Sequence, residues 1–138
     1  MFTLHPVITH DTVEITRLAL CRVLLMDDRS WPWLILVPAQ PDLRELYELE
    51  PADRATLMEE IAQVSTALRD LYQPHKINVA ALGNNVDQLH VHVIARFRHD
   101  PAWPRPVWGM LPRELYEPHE RDTLVRALRD ALTRGGAE

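Results

Sequence analysis

The chain has 138 residues, 46% hydrophobic and 25% charged, with a formal charge of −5. That length fits a single domain over residues 1–138, and the composition is that of an ordinary globular protein rather than a disordered one. The acidic balance excludes the basic footprint of a DNA- or RNA-polymer binder, whereas a small nucleotide needs only a few backbone N–H groups and local side chains.

In chain order, Met1-Phe-Thr-Leu-His-Pro6 shows no basic region followed by an apolar stretch, and no apolar run approaches the ~18 residues of a membrane span. A cytoplasmic protein without a membrane partner is expected. A short strand or turn around Thr12–Thr16 precedes an apolar run over residues 19–26, read as a strand ending in the turn cluster Asp27-Asp28-Arg29-Ser30. This run contains the lone Cys21, expected to act as a small buried hydrophobe in a reducing compartment. Trp33-Leu-Ile-Leu-Val37 follows closely, so the two runs should pair as an antiparallel hairpin.

Residues 51–72 carry an amphipathic helical stripe at Leu57, Met58, Ile61, Val64, Leu68 and Leu71. Pro51 suits its first turn, Asp53, Glu59 and Glu60 favour its N-terminal half, and Pro74 stops it. Strands over Lys76–Leu82 and Leu89–Phe97, joined through the turn Gly83-Asn84-Asn85, form a second hairpin. Residues 101–112, with four prolines, Trp103 and Trp108, read as an ordered arm or loop. A last helix covers about 118–133, opened by Pro118, with Leu124, Val125, Leu128, Ala131 and Leu132 on one stripe and Gly135-Gly136 as its stop. Short connectors favour antiparallel pairing, so the expected class is α+β, a sheet of about five strands with one long packed helix and a C-terminal helix.

The informative stretch is Gln88-Leu-His-Val-His-Val-Ile94. Strand alternation sends Leu89, Val91 and Val93 to one side and Gln88, His90 and His92 to the other, with same-side neighbours roughly 6.5–7 Å apart. Three polar side chains can thus surround one phosphate-sized anion. The same pattern is that of a half-solvated strand, and spacing alone leaves both open. Two histidines at i and i+2 are also a metal-binding pair, but no third ligand is evident, because strict alternation puts Asp87 on the opposite face. His5, His10, His75, His99 and His119 have no interpretable partner spacing and are expected at the surface.

These residues resemble the histidine-triad (HIT) signature, histidine–apolar–histidine–apolar–histidine–apolar–apolar, with Gln88 at the first histidine. The apolar strand Trp33–Pro38, the amphipathic helix, the strand–turn–strand and the tryptophan-bearing arm extend the resemblance over roughly residues 18–110. It implies a generally dimeric nucleotide hydrolase or transferase acting at a phosphoanhydride, phosphoramidate or phosphate-ester link to a nucleoside monophosphate. His90 is then the nucleophile at the α-phosphorus, forming a nucleotidyl-histidine without a metal or organic cofactor, and His92 and Gln88 donate to the non-bridging oxygens. An amide cannot carry a proton between reacting groups, so Gln88 leaves two outcomes: altered leaving-group preference, or a binding module that senses nucleotides without turnover. By the same resemblance Asn85, and next Asn84, contact phosphate through a turn that accepts positive φ, with a plain hairpin turn as the alternative. Asp28 or Asp27 stands where members bind ribose hydroxyls. Trp33 replaces a further histidine and reads first as core. Arg96 shares the triad face if no bulge intervenes and would then neutralise phosphate. Trp103 and Trp108 resemble an aromatic segment that approaches the partner subunit's site, or else anchor the arm.

Overall fold

A computed structural model describes residues 1–136. Their elements are α1 (Pro6–Asp11), β1 (Thr12–Arg17), β2 (Cys21–Met26), β3 (Trp33–Pro38), α2 (Pro51–Tyr72), β4 (Lys76–Ala80), β5 (Val91–Arg96) and α3 (Pro118–Gly136), with one 3₁₀ turn at Leu46–Glu48. The strands form one antiparallel sheet in the order β1-β2-β3-β5-β4. Both expected hairpins are present, and the central pairing of β3 with β5 sets Leu36 opposite Val91 and Trp33 opposite Ile94.

Because β5 lies inside the sheet, what covers its two faces decides the character of the motif. One face is covered by the long helices. Leu57, Ile61, Val64 and Leu68 of α2 and Val125, Leu128 and Leu132 of α3 pack onto Leu34, Leu36, Leu89, Val91 and Val93. Met58 and Leu71, expected in the helical stripe, are exposed because they fall at its margin. Glu60 is buried instead, its carboxylate accepting from the backbone N–H groups of Leu20 and Cys21 at 2.9 Å each where β2 begins. Two strand N–H donors are thus satisfied by the helix, which ties α2 to the sheet in register.

The other face is covered by segments that carry no long amphipathic signal. Phe2, Leu4 and Ile8 from the N-terminus and Ala102, Val107, Trp108 and Met110 from the arm pack on Trp31, Trp33, Ile35, Val37 and Ile94. All of β5 is therefore buried, so the half-solvated-strand reading does not hold. The helix α1 was not anticipated. Pro6 sits at its first turn and the Nδ1 of His5 accepts from the Val7 N–H at 3.1 Å, a cap that offsets one orphan donor of a very short helix. At the other end of the chain α3 runs to Gly136, so Gly135 and Gly136 lie within the helix. Among the described residues no helix is long and apolar enough to cross a membrane.

Candidate functional site

The motif strand is shorter than its sequence pattern. Pairing starts at Val91, so Gln88, Leu89 and His90 belong to the loop 81–90 that delivers the chain into β5. Alternation nevertheless persists: Leu89 and Val91 enter the helix-side core while His90 and His92 stay on the opposite face. The loop folds over His90 and leaves a cavity of about 130 Å3 beside it, lined by Gly83, Asn84, Asp87, Gln88 and His90, with Arg44 and Glu45 at its rim.

The hydrogen bonds of the two histidines fix which ring nitrogen carries the proton. His90 Nδ1 lies 2.6 Å from the backbone carbonyl of Gln88. A carbonyl only accepts, so Nδ1 holds the hydrogen and the neutral ring has its lone pair on Nε2. That atom has no hydrogen-bond partner among the described residues and is not sealed from solvent. His92 has the reverse arrangement. The indole N–H of Trp33 donates to its Nδ1 at 3.0 Å, and an indole cannot accept, so the His92 proton sits on Nε2. His92 is 4% exposed, packed between Trp33 and Trp108 with ring centroids at 5.7 and 5.0 Å. Burial, and then the nearby His90, push its pKa down to about 4, against a smaller opposing effect of the Leu82 backbone. The two imidazoles, 5.0 Å apart, are thus an open lone pair backed by a ring held neutral.

Gln88 is not aimed at the cavity as an anion donor. Its Nε2 donates to the Thr3 carbonyl at 2.9 Å and its Oε1 accepts from the His5 N–H at 2.8 Å. The amide mimics a strand partner and pins the N-terminal segment beside the motif. The donor and acceptor of an imidazole diverge from opposite sides of its ring and cannot pair with two neighbouring backbone groups in this way. His5, expected at the surface, is half-buried by the same contact. A proline following a histidine was the available sequence signal for this capped, docked segment.

Of the remaining expected residues, Asn84 lines the cavity and Asn85 does not. Positive φ occurs among the described residues at Asp42, Gln73 and Gly109, so the loop does not use it as expected. Gly83 is required by space: a Cβ there would lie 2.8 Å from the Val86 carbonyl oxygen and 3.7 Å from His90 Cε1. Asp87 reaches the cavity rim and pairs with Arg44 at 3.6 Å, because the segment is loop and strict alternation does not govern it.

Asp28 is not brought to this cavity. Strand register puts it near the Trp33–Ile94 end of the sheet, roughly 13 Å along β5 from His90. It is buried, with its carboxylate accepting from the Ser30 N–H at 3.1 Å, while Asp27 accepts from the Tyr116 N–H at 3.0 Å. Arg96 continues the strand without a bulge, but its guanidinium grips Asp100 through Nε at 2.8 Å and Nη2 at 3.1 Å, and Asn78 through Nη1 at 2.8 Å. At 1% exposure it is a strut for the arm and is not available to phosphate as expected. Trp103 stacks by its edge on His75, and its ring lies 5.6 Å from the Arg96 guanidinium carbon, so both tryptophans of the arm have partners within the chain. Among the described residues no three His, Cys, Asp or Glu side chains are placed to hold a metal ion.

Comparison with known proteins agrees with this geometry. No curated protein sequence matches the chain. Among solved structures, a histidine triad protein from Bradyrhizobium japonicum is 44% identical with a TM-score of 0.92, over 95% of this chain and 98% of its own. A histidine triad (HIT) protein from Sinorhizobium meliloti 1021 is 45% identical with a TM-score of 0.92, over 94% and 96%. A histidine triad protein from Marinobacter aquaeolei VT8 is 42% identical with a TM-score of 0.94, over 97% and 98%. The profile of the HIT domain matches residues 9–99, which include the cavity loop and both histidines. With the motif, the sheet and the whole-length likeness in agreement, this chain belongs to the HIT domain family.

Proposed function

We propose that the protein is a nucleotide hydrolase or transferase that attacks the α-phosphate of small nucleotide conjugates, dinucleoside polyphosphates or nucleoside phosphoramidates, through His90. The observation that carries this reading is the 2.6 Å contact of His90 Nδ1 with the Gln88 carbonyl, which leaves the Nε2 lone pair at the cavity. Attack forms the Nε2–P bond as the bond from phosphorus to the leaving group breaks, its electron pair departing with that group, and leaves the ring as a cation with its proton on Nδ1. The Gln88 carbonyl accepts a charge-assisted hydrogen bond from that Nδ1–H, and neutral His92 adds no like charge 5.0 Å away. Water then displaces the ring and releases the nucleotide. His92 Nε2–H and the Asn84 side of the loop are the donors assigned to the non-bridging oxygens. Gln88 acts by holding the N-terminal segment, and neither a metal nor an organic cofactor takes part.

A second reading is a nucleotide sensor without turnover, favoured by one observation: the side chain in place of the first triad histidine is engaged through both its amide nitrogen and its oxygen by Thr3 and His5. Product analysis with adenosine 5′-phosphoramidate and a diadenosine polyphosphate, with and without chelator, separates the readings. Turnover indifferent to chelator and lost in His90→Ala is expected. Nucleotide affinity without turnover of either substrate selects the sensor, and activity abolished by chelator selects metal chemistry.

We also propose a homodimer joined along β4. This edge strand exposes Val79, and beside it an apolar groove of about 310 Å3 is lined by Leu46, Leu57, Met58, Ile61 and Val91. An unpaired edge with an adjoining apolar surface is what a second copy can bury symmetrically.

A further inference from the structure

Resting on the β4 homodimer and on nucleotide binding at His90, we infer that each site is completed by the partner subunit's Lys76, whose ammonium reaches the bound phosphate past Leu82 and Asn84. Lys76 is the only lysine among the 15 lysine and arginine residues of the chain. It is exposed, and among the described residues it takes part in no ion pair. Strand register sets Lys76 opposite Arg96, Asn78 opposite Ile94 and Ala80 opposite His92, so these three β4 residues share the motif side, while Ile77 and Val79 turn to the helices. A cation directly opposite a cation weakens a sheet, and the Asp100 carboxylate nearby is already gripped by two nitrogens of Arg96. Its own sheet thus offers Lys76 no partner.

Pairing of two copies supplies one. Within a protomer Lys76 stands six residues, roughly 20 Å, along the neighbouring strand from His90, beyond the reach of its own stem. Two copies joined through β4 about a two-fold axis normal to the sheet run antiparallel and keep their helices on one side, so directly opposed residues face the same way. Val79 is the exposed apolar residue of this edge and lines the apolar groove beside it. With the axis at Val79, this side chain meets its own copy, the two grooves close on each other, and the partner subunit's Lys76 comes opposite Leu82. Residues 81–83 run on from β4 before the chain bends at Asn84, a residue of the cavity, which becomes the diagonal neighbour at roughly 7–8 Å. A lysine stem spans that interval while lying along Leu82, whose side chain is exposed in the single copy. Gly83 between them borders His90 Cε1, so the ammonium arrives beside the reactive ring. The protomer's own cations are engaged elsewhere: Arg96 holds Asp100 and Asn78, and Arg44 pairs with Asp87 at the rim at 3.6 Å. The phosphate therefore gains a compensating cation from across the two-fold, as charge and hydrogen bonds to its non-bridging oxygens.

The test exploits the single lysine. Asn84→Cys adds a thiol to a chain whose own Cys21 is buried, and a short amine–thiol cross-linker should then give a covalent dimer whose joined peptides map to Lys76 and position 84. Adding Val79→Asp to this variant should abolish the product. Calorimetry with adenosine monophosphate should find binding weakened on the order of 10-fold or more in Lys76→Ala and largely restored in Lys76→Arg, with both variants sedimenting as dimers. A dimer that gives no such cross-link, or a dimeric Lys76→Ala that binds as tightly as wild type, overturns the inference and leaves dimer and nucleotide binding standing. A Lys76→Ala protein that falls to a monomer overturns it in favour of a role in the interface. Wild-type protein that stays monomeric with adenosine monophosphate bound overturns the dimer reading as well, and makes Lys76 the guard of an open edge. A wild-type dimer without affinity for adenosine monophosphate overturns the nucleotide reading itself.

Discussion

At the scale of single residues, the two histidines differ by what their Nδ1 atoms touch. His90 meets a carbonyl and His92 meets an indole N–H, so one ring presents a lone pair and the other is held neutral. This has a pH consequence with a definite sign. The folded pKa of His92 is about 4, below the ordinary 6.5, so between these values the unfolded chain binds the extra proton. Stability is complete above about pH 6.5 and falls toward pH 4, by up to about 3 kcal/mol. Urea unfolding at pH 7.5 and 4.5 should show that loss, and His92→Gln should flatten it; an unchanged slope would mean that His92 does not titrate as its burial implies. Trp33→Phe removes the indole donor and should raise the His92 pKa in an NMR titration. The HxH pattern made both histidines visible in the sequence. Their tautomers were not, since they depend on Trp33 from another strand and on a backbone carbonyl.

At the scale of elements, α2 and the hairpins were legible because they carry their own periodicity and punctuation. The arm was legible as an ordered, proline-rich segment, but α1 and the docking of the N-terminal segment and the arm on the motif face were not, since those contacts are made by scattered apolar residues and by single polar anchors. Gln88 is one such anchor. Its alanine variant should free Thr3 and His5, raise hydrogen exchange across residues 3–8, and cost about 0.5–1.5 kcal/mol, since one of the two lost bonds is part-buried and the other exposed. Unchanged exchange there would show that the amide does not hold the segment. Arg96 is the other. Its ion pair with Asp100 has side chains 1% and 4% exposed. Although burial opposes it, the Arg96 guanidinium and the Phe97 and Ala102 N–H groups hold the Asp100 carboxyl well below the carboxylate range. Arg96→Ala should therefore destabilise by about 3–5 kcal/mol, from a charge left unpaired in the interior. Arg96→Lys, which keeps the charge, should leave nucleotide affinity unchanged by calorimetry; a large affinity loss in this folded variant would restore a direct role with phosphate.

At the scale of the whole molecule, one sheet organises two unlike layers: long helices supply the core on one side, and loops and termini build the reactive face on the other. The unpaired edge of β4 completes the assembly in this account. Val79→Asp should convert a dimer to a monomer in sedimentation experiments, and a wild-type protein that sediments as a monomer at micromolar concentration removes the proposed interface. The most direct measurement of the central claim is mass spectrometry of protein quenched in acid-free conditions during turnover of p-nitrophenyl adenosine monophosphate. The account predicts an adenylyl group on the peptide containing His90, absent in His90→Ala. Product release with no such adduct, or an adduct on any other residue, would contradict it.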